Sequence, residues 1–191
     1  THQPVEHTMS LRNIPNLLVF RPADSFETYY CFKTIMENTN NPSALLLTRQ
    51  KLPKLNLEQK YIEQGVRYGA YIVLKEDNPE AVLFSSGSEV HLAIEVCKEL
   101  SHKIQIINVP CWELLDIQDK SYIDTIMMKE CNKRISLEAG ITSGWEKFTG
   151  LNGLNIGIDN FGASAPGIDV ANHFGFVKDK IKSKIEDNLN G

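Results

Sequence analysis

The chain has 191 residues, 42% of them hydrophobic and 23% charged, which are the proportions of an ordinary globular protein long enough to bury a substantial core. A formal net charge of −4, with no lysine- and arginine-rich run interleaved with aromatics, argues against a nucleic-acid partner. Apolar runs such as residues 44–47 and 81–84 fall far short of the roughly 20 residues that cross a bilayer, so no membrane role is expected.

The opening Thr1-His2-Gln3-Pro4-Val5-Glu6 has no initiator Met, no basic leader and no apolar stretch behind it; it reads as the interior of a longer polypeptide. Pro4 followed by Val5, Met9 and Leu11 predicts a short helix, and residues 14–20 predict an apolar strand between Pro15 and Pro22. Asp24 then caps a helix with Glu27 as its capping-box partner. Phe26, Tyr29, Tyr30, Ile35 and Met36 form the expected apolar face, and the helix ends at residues 38–42. Residues 43–48 are short and apolar, as a buried strand of a parallel sheet is, with Arg49 at its C-terminal end. Residues 52–69, with their Pro, Lys, Asn and Gln, predict a linker.

Beyond a boundary set near residue 60, strand and helix alternate. Strands are expected at 71–74, 81–85, 104–109, 134–138 and 154–158. Helices are expected at 88–100, in short pieces within 112–128, and at 168–174 and 177–189. This rhythm predicts a three-layer α/β/α sandwich with a mostly parallel sheet over residues 61–191, preceded by a partial second α/β domain over residues 1–60. The later part is expected to fold by itself. Cys31, Cys97, Cys111 and Cys131 are widely spaced, form no C-x-x-C pair and have no His at zinc-ligand spacing, so they read as reduced thiols of a cytoplasmic protein rather than metal ligands.

Several stretches resemble transketolases. Thr1 to Glu6, Leu17 to Phe20 with Arg21-Pro22-Ala23-Asp24, and Ser43 to Thr48 with Arg49-Gln50-Lys51-Leu52-Pro53 are similar to the later part of that family's pyrimidine-binding domain. Four further blocks resemble its C-terminal domain: Ser86-Gly87-Ser88-Glu89-Val90-His91, Pro110-Cys111-Trp112-Glu113-Leu114, Glu138-Ala139-Gly140 with Gly144-Trp145-Glu146, and Phe161-Gly162-Ala163-Ser164-Ala165-Pro166. The blocks come in the family's order over nearly the whole chain.

The resemblance implies a parent enzyme that transfers a two-carbon ketol unit from a ketose phosphate to an aldose phosphate in the pentose phosphate pathway. It implies thiamine diphosphate and a divalent metal (Mg or Ca) in that parent, a cytoplasmic homodimer, and no cofactor or metal held by this chain, which is expected to be inactive alone. Two positions match the family's active-site residues. His2 resembles the imidazole that hydrogen-bonds the ketol oxygens; at a helix start, the positive dipole end favours its neutral form. Arg49 resembles the guanidinium that grips the substrate phosphate, a group its planar fork suits.

Other residues carry blander expectations. His91 and Glu89, at a Gly-Ser-Glu turn, are expected to cap and pack. Glu138 is expected to be a buried carboxylate satisfied by a following turn. Trp112 and Trp145 read as apolar anchors, residues 161–166 as a close-packing segment for core or interface, and residues 178–186 as a solvated helix face. Two rival readings differ from ketol transfer between sugar phosphates. One is another synthase of the same plan, such as a dihydroxyacetone synthase or, less well matched at Arg49-Gln50, a deoxyxylulose-phosphate synthase. The other is a non-catalytic module for dimerisation or regulation.

Overall fold

The computed structural model describes residues 3–191, so His2 lies outside the described residues. The first segment consists of α1 (His7–Arg12), β1 (Leu18–Phe20), α2 (Ser25–Glu37) and β2 (Ser43–Leu45), with β1 and β2 paired in parallel. Helix α3 (Gln59–Tyr68) follows. The remaining elements are β3 (Tyr71–Leu74), β4 (Ala81–Ser85), α4 (Glu89–Cys97), β5 (Ile104–Asn108), α5 (Trp112–Asp116), α6 (Lys120–Met127), β6 (Lys133–Leu137), α7 (Glu146–Thr149), β7 (Leu154–Ile156), α8 (Gly167–Phe174) and α9 (Lys178–Asn190).

The second sheet has the order β3-β5-β4-β6-β7, parallel except for β3, which runs antiparallel to β5 at the edge. Side-chain alternation along β4 divides the core. Val82 and Phe84 face Trp112, Leu115, Trp145 and Phe148 under α5 and α7. Ala81 and Leu83 face Ala93 and Val96 of α4 with Ile181 and Ile185 of α9. The result is the expected α/β/α sandwich, its central strand fully buried because both faces are covered.

Several expected spans change, each for a local reason. The first helix begins at His7, not at Pro4. The first strand shrinks from residues 14–20 to Leu18–Phe20 because Asn16, with φ 64°, takes the left-handed conformation after Pro15 and breaks the extended run. The second strand ends at Leu45 and is half-buried rather than buried; among the described residues only β1 pairs with it. Of the face expected to be buried on α2, Tyr30 is buried, but Tyr29 and Met36 are 62% and 67% exposed.

The largest correction concerns the linker. Residues 59–68 form α3, whose Ile62 and Val66 are buried one turn apart. Gly69 ends the helix at φ 84°, where a Cβ would meet the Cys111 carbonyl oxygen at 2.3 Å. Leu18, Phe20, Tyr30 and Cys31 of the first segment share one cluster with Ile62, Val66, Tyr71, Val90 and Cys111.

Candidate functional site

In a parallel sheet the C-terminal ends of the strands are where polar groups and ligands collect. Here that edge carries Ser86 and Gly87 after β4 and Glu138 after β6, and the first segment docks onto it. Arg12, the last residue of α1, places Nη1 at 2.8 Å and Nη2 at 2.9 Å from the two Glu138 carboxylate oxygens, the bidentate geometry that fits a planar fork. Arg21, the residue after β1, donates to Glu138 at 3.2 Å and lies 2.6 Å from Glu89. Ser86 Oγ at 2.6 Å and Trp145 Nε1 at 3.0 Å complete the Glu138 shell.

The Arg12 and Glu138 side chains are each only 2% exposed. Burial pushes the Glu138 carboxyl up, but the charges of Arg12 and Arg21 with the Arg12 and Ser86 hydrogen bonds outweigh it and leave it at about 2. For Arg21, burial works against the charge, and Glu89 with Glu138 more than restores it, raising its pKa. The Arg12 guanidinium also lies 4.0 Å from the centroid of Trp112, which itself meets Trp145 edge-on at 4.7 Å. Gly87, at φ 62°, admits Arg21, because a Cβ there would come within 2.9 Å of that side chain.

The blander sequence expectations therefore resolve in particular ways. Glu138 is a buried, satisfied carboxylate, but its partners are two arginines, a serine and a tryptophan rather than a following turn. Glu89 pairs with Arg21 and accepts from the Ala139 N–H at 3.1 Å and Ser88 Oγ at 2.6 Å. His91 reaches the Ala23 carbonyl at 2.9 Å, a contact between the segments. Trp112 and Trp145 do pack in the core and also form a shelf for Arg12. Phe161 and residues 163–166 are exposed, so they do not pack in this chain's core.

Sequence reasoning missed Arg12 and Arg21 as docking groups. The one available signal was the Arg-Pro-Ala-Asp run itself, an arginine directly after an apolar strand.

A second buried polar group sits at the same seam. Glu27 Oε1 accepts from Tyr71 Oη at 2.9 Å and Asn108 Nδ2 at 2.6 Å, and Oε2 accepts from the Ala23 N–H. Asp24 caps α2 as expected, accepting from the Glu27 N–H at 2.7 Å, and also accepts from the Leu55 N–H at 2.7 Å. Glu27 reaches back to Ala23, not to the N-cap residue. Burial raises its pKa to about 8 against the three donors, with the Asp24 charge adding to the rise.

Arg49 lies past the end of β2, exposed, and pairs with no carboxylate among the described residues. The Leu46 N–H still bonds the Phe20 carbonyl at 2.8 Å, so the Arg49 loop departs directly from the seam that Arg21 anchors. Thr48, Arg49 and Gln50 form one side of a cavity of about 550 Å³ whose other side comes from Ser88, Glu89, Leu92 and α8. His2 and Arg49 cannot be placed relative to one another, because His2 is outside the described residues.

No group of three His, Cys, Asp or Glu side chains able to hold a metal converges among the described residues. All four cysteines are buried free thiols, and among the described residues no helix is long and apolar enough to cross a membrane.

An α/β/α domain whose strand-end edge clasps the arginines of a second α/β segment, with a further arginine beside the seam, defines a two-part α/β module. The particular family follows from comparison. Residues 69–177 match the model of the transketolase-like C-terminal domain, and residues 1–54 that of the transketolase pyrimidine-binding domain; the chain belongs to the transketolase family.

A transketolase from Staphylococcus epidermidis is 42% identical over 97% of this chain and 28% of its own length. One from Geobacillus stearothermophilus is 41% identical over 95% and 28%. The solved transketolase from Leishmania mexicana superposes with a TM-score of 0.89 at 32% identity, covering 99% of this chain and 28% of that one. The chain thus spans about 28% of the length of the relatives it matches.

Proposed function

We propose that these residues form the end of the pyrimidine-binding domain and the C-terminal domain of a transketolase that moves a two-carbon ketol unit from a ketose phosphate to an aldose phosphate, in the cytoplasm and within the pentose phosphate pathway. The observation that carries this reading is the family match across both segments, together with an arginine left unpaired among the described residues beside a cavity at the seam. In this reading Arg49 binds the substrate phosphate through its guanidinium fork, and His2 donates a hydrogen bond to the ketol oxygens from a neutral ring. Neutralisation of Glu89 by Arg21 keeps a second negative charge from opposing the phosphate.

When bound to the parent enzyme, thiamine diphosphate with its divalent metal supplies the electron sink for the two-carbon unit. This chain's part is to hold the phosphate end and orient the ketol end. Exposed apolar residues along α2, with Phe32 56% exposed between Tyr29 and Met36, suit burial against further protein in a homodimer.

A chimera tests the reading: this chain replaces the matching stretch of the Staphylococcus epidermidis relative. Ketol transfer by the chimera is expected. The 191 residues alone are expected to show neither saturable heat with thiamine diphosphate and magnesium nor turnover. A chimera that folds and binds cofactor yet transfers nothing would sink the proposal and favour the non-catalytic module.

A further inference from the structure

The cavity beside Arg49 has two unlike walls. One is the polar loop of Thr48, Arg49 and Gln50; the other has Ser88 and Glu89 at the start of α4 and is otherwise apolar, with Leu92 of α4, Ile158, Val170 and Phe174 of α8, and Phe176. A sugar chain extended past Ser88 and Glu89 onto the apolar part of that wall would leave hydroxyls without hydrogen-bond partners, which is costly when water is displaced. That wall instead suits an aromatic or branched apolar body.

The charge pattern selects the other end of the ligand. Glu89, which lines the cavity, is already held by Arg21 at 2.6 Å and by the Ala139 N–H at 3.1 Å. Arg49 has no ion-pair partner among the described residues, so the net character of the polar wall is cationic. The volume of about 550 Å³ lies within the range of about 300–1,000 Å³ usual for small-molecule sites.

We propose that this cavity binds an amphipathic organic anion. Its phosphate or carboxylate pairs with Arg49, and its apolar body lies on Leu92, Ile158, Val170 and Phe174. Such a ligand bridges the Arg49 loop and α8 and competes with phosphorylated substrates for the arginine. The inference rests on Arg49 as an anion anchor, as the proposed function does, but not on ketol transfer.

The test titrates the 191-residue chain with naphthyl phosphate, inorganic phosphate and naphthol, following naphthyl fluorescence and calorimetric heat. Naphthyl phosphate is expected to bind saturably, one per chain, at least about tenfold more tightly than either fragment, because only it uses both walls. Arg49→Gln, at an exposed position, is expected to reduce its binding to the level of naphthol. Ala171→Trp, which fills the cavity from α8, is expected to abolish it while leaving inorganic phosphate unaffected.

Equal affinities for naphthyl phosphate and either fragment, or no binding, would overturn the proposal, and neither outcome depends on a variant folding. Binding that survives Arg49→Gln would remove the anion anchor from this proposal and from the proposed function alike. An inactive chimera with naphthyl phosphate binding intact would remove only the ketol-transfer reading.

Discussion

Arg49 owes its proposed role to what surrounds it. A guanidinium without a carboxylate partner among the described residues, on a loop leaving a sheet edge, can use both arms on an incoming phosphate. In the active chimera, Arg49→Ala is expected to cost on the order of 2–4 kcal/mol of phosphorylated-substrate binding. Most of the loss should appear in KM, because the phosphate is remote from the bond that breaks. Arg49→Lys should recover part of it, keeping the charge without the fork. Hydroxypyruvate, which has no phosphate, is the control; equal losses with both donors would withdraw the assignment.

The proposal for Arg49 rests on a local motif. The docking roles of Arg12 and Arg21 were not visible in sequence, because their common partner Glu138 lies 126 and 117 residues away, and nothing in a short motif reports a pairing at such distance.

At the scale of elements, strands β3 and β4 fall where their short apolar runs place them, and most helices shift only at their ends, where frayed turns and caps decide. The miss was α3. Its polar residues hide a two-residue apolar stripe, Ile62 and Val66, that becomes meaningful only when α2 and Tyr71 cover it. The Gly69 stop was the available clue.

Glu27 shows the converse. Its position at the start of α2 was legible, but its burial between α2, β3 and β5 was not. That burial has a pH consequence. The folded pKa of about 8 lies above the ordinary value of 4.5, so the folded state holds the proton more tightly, and stability falls as pH rises from about 4.5 to about 8. Asp24, Tyr71, Cys31 and Cys111 also face this region. The Tyr71 hydroxyl and both thiols are pushed well above their usual values, mainly by burial, and do not titrate in that window.

Glu27→Gln is expected to remove several kcal/mol of this slope in urea titrations across the same window. It should also carry a roughly constant loss of about 1–3 kcal/mol from a donor left without an acceptor. Parallel pH curves for the two proteins would show that Glu27 is not the titrating group.

For the whole molecule, we propose that residues 1–60 and 61–191 are separate folding units held together by the seam rather than by their connection. Helix α3 straddles that division, and the stretch before it, residues 46–58, has no helix or strand and is mostly exposed apart from Leu55. Limited proteolysis should therefore cut first within that stretch. The two pieces should nevertheless stay together, because they share a buried cluster and the Arg12–Glu138–Arg21 contacts.

Glu138 sets the conditions under which they part. Its pKa of about 2 lies below the ordinary 4.5, so its contribution is complete above about pH 4.5 and is lost as pH falls through about 2. Added salt should do little, since buried charges are weakly screened. Glu138→Ala leaves the buried Arg12 without its carboxylate, while Arg21 keeps Glu89, and should cost about 3–5 kcal/mol, enough to release the nicked N-terminal piece at neutral pH. Size-exclusion chromatography of the nicked proteins reads this directly. A nicked Glu138→Ala protein that co-elutes as tightly as the parent would show that the apolar cluster alone joins the two units and that the ion cluster only fixes their orientation.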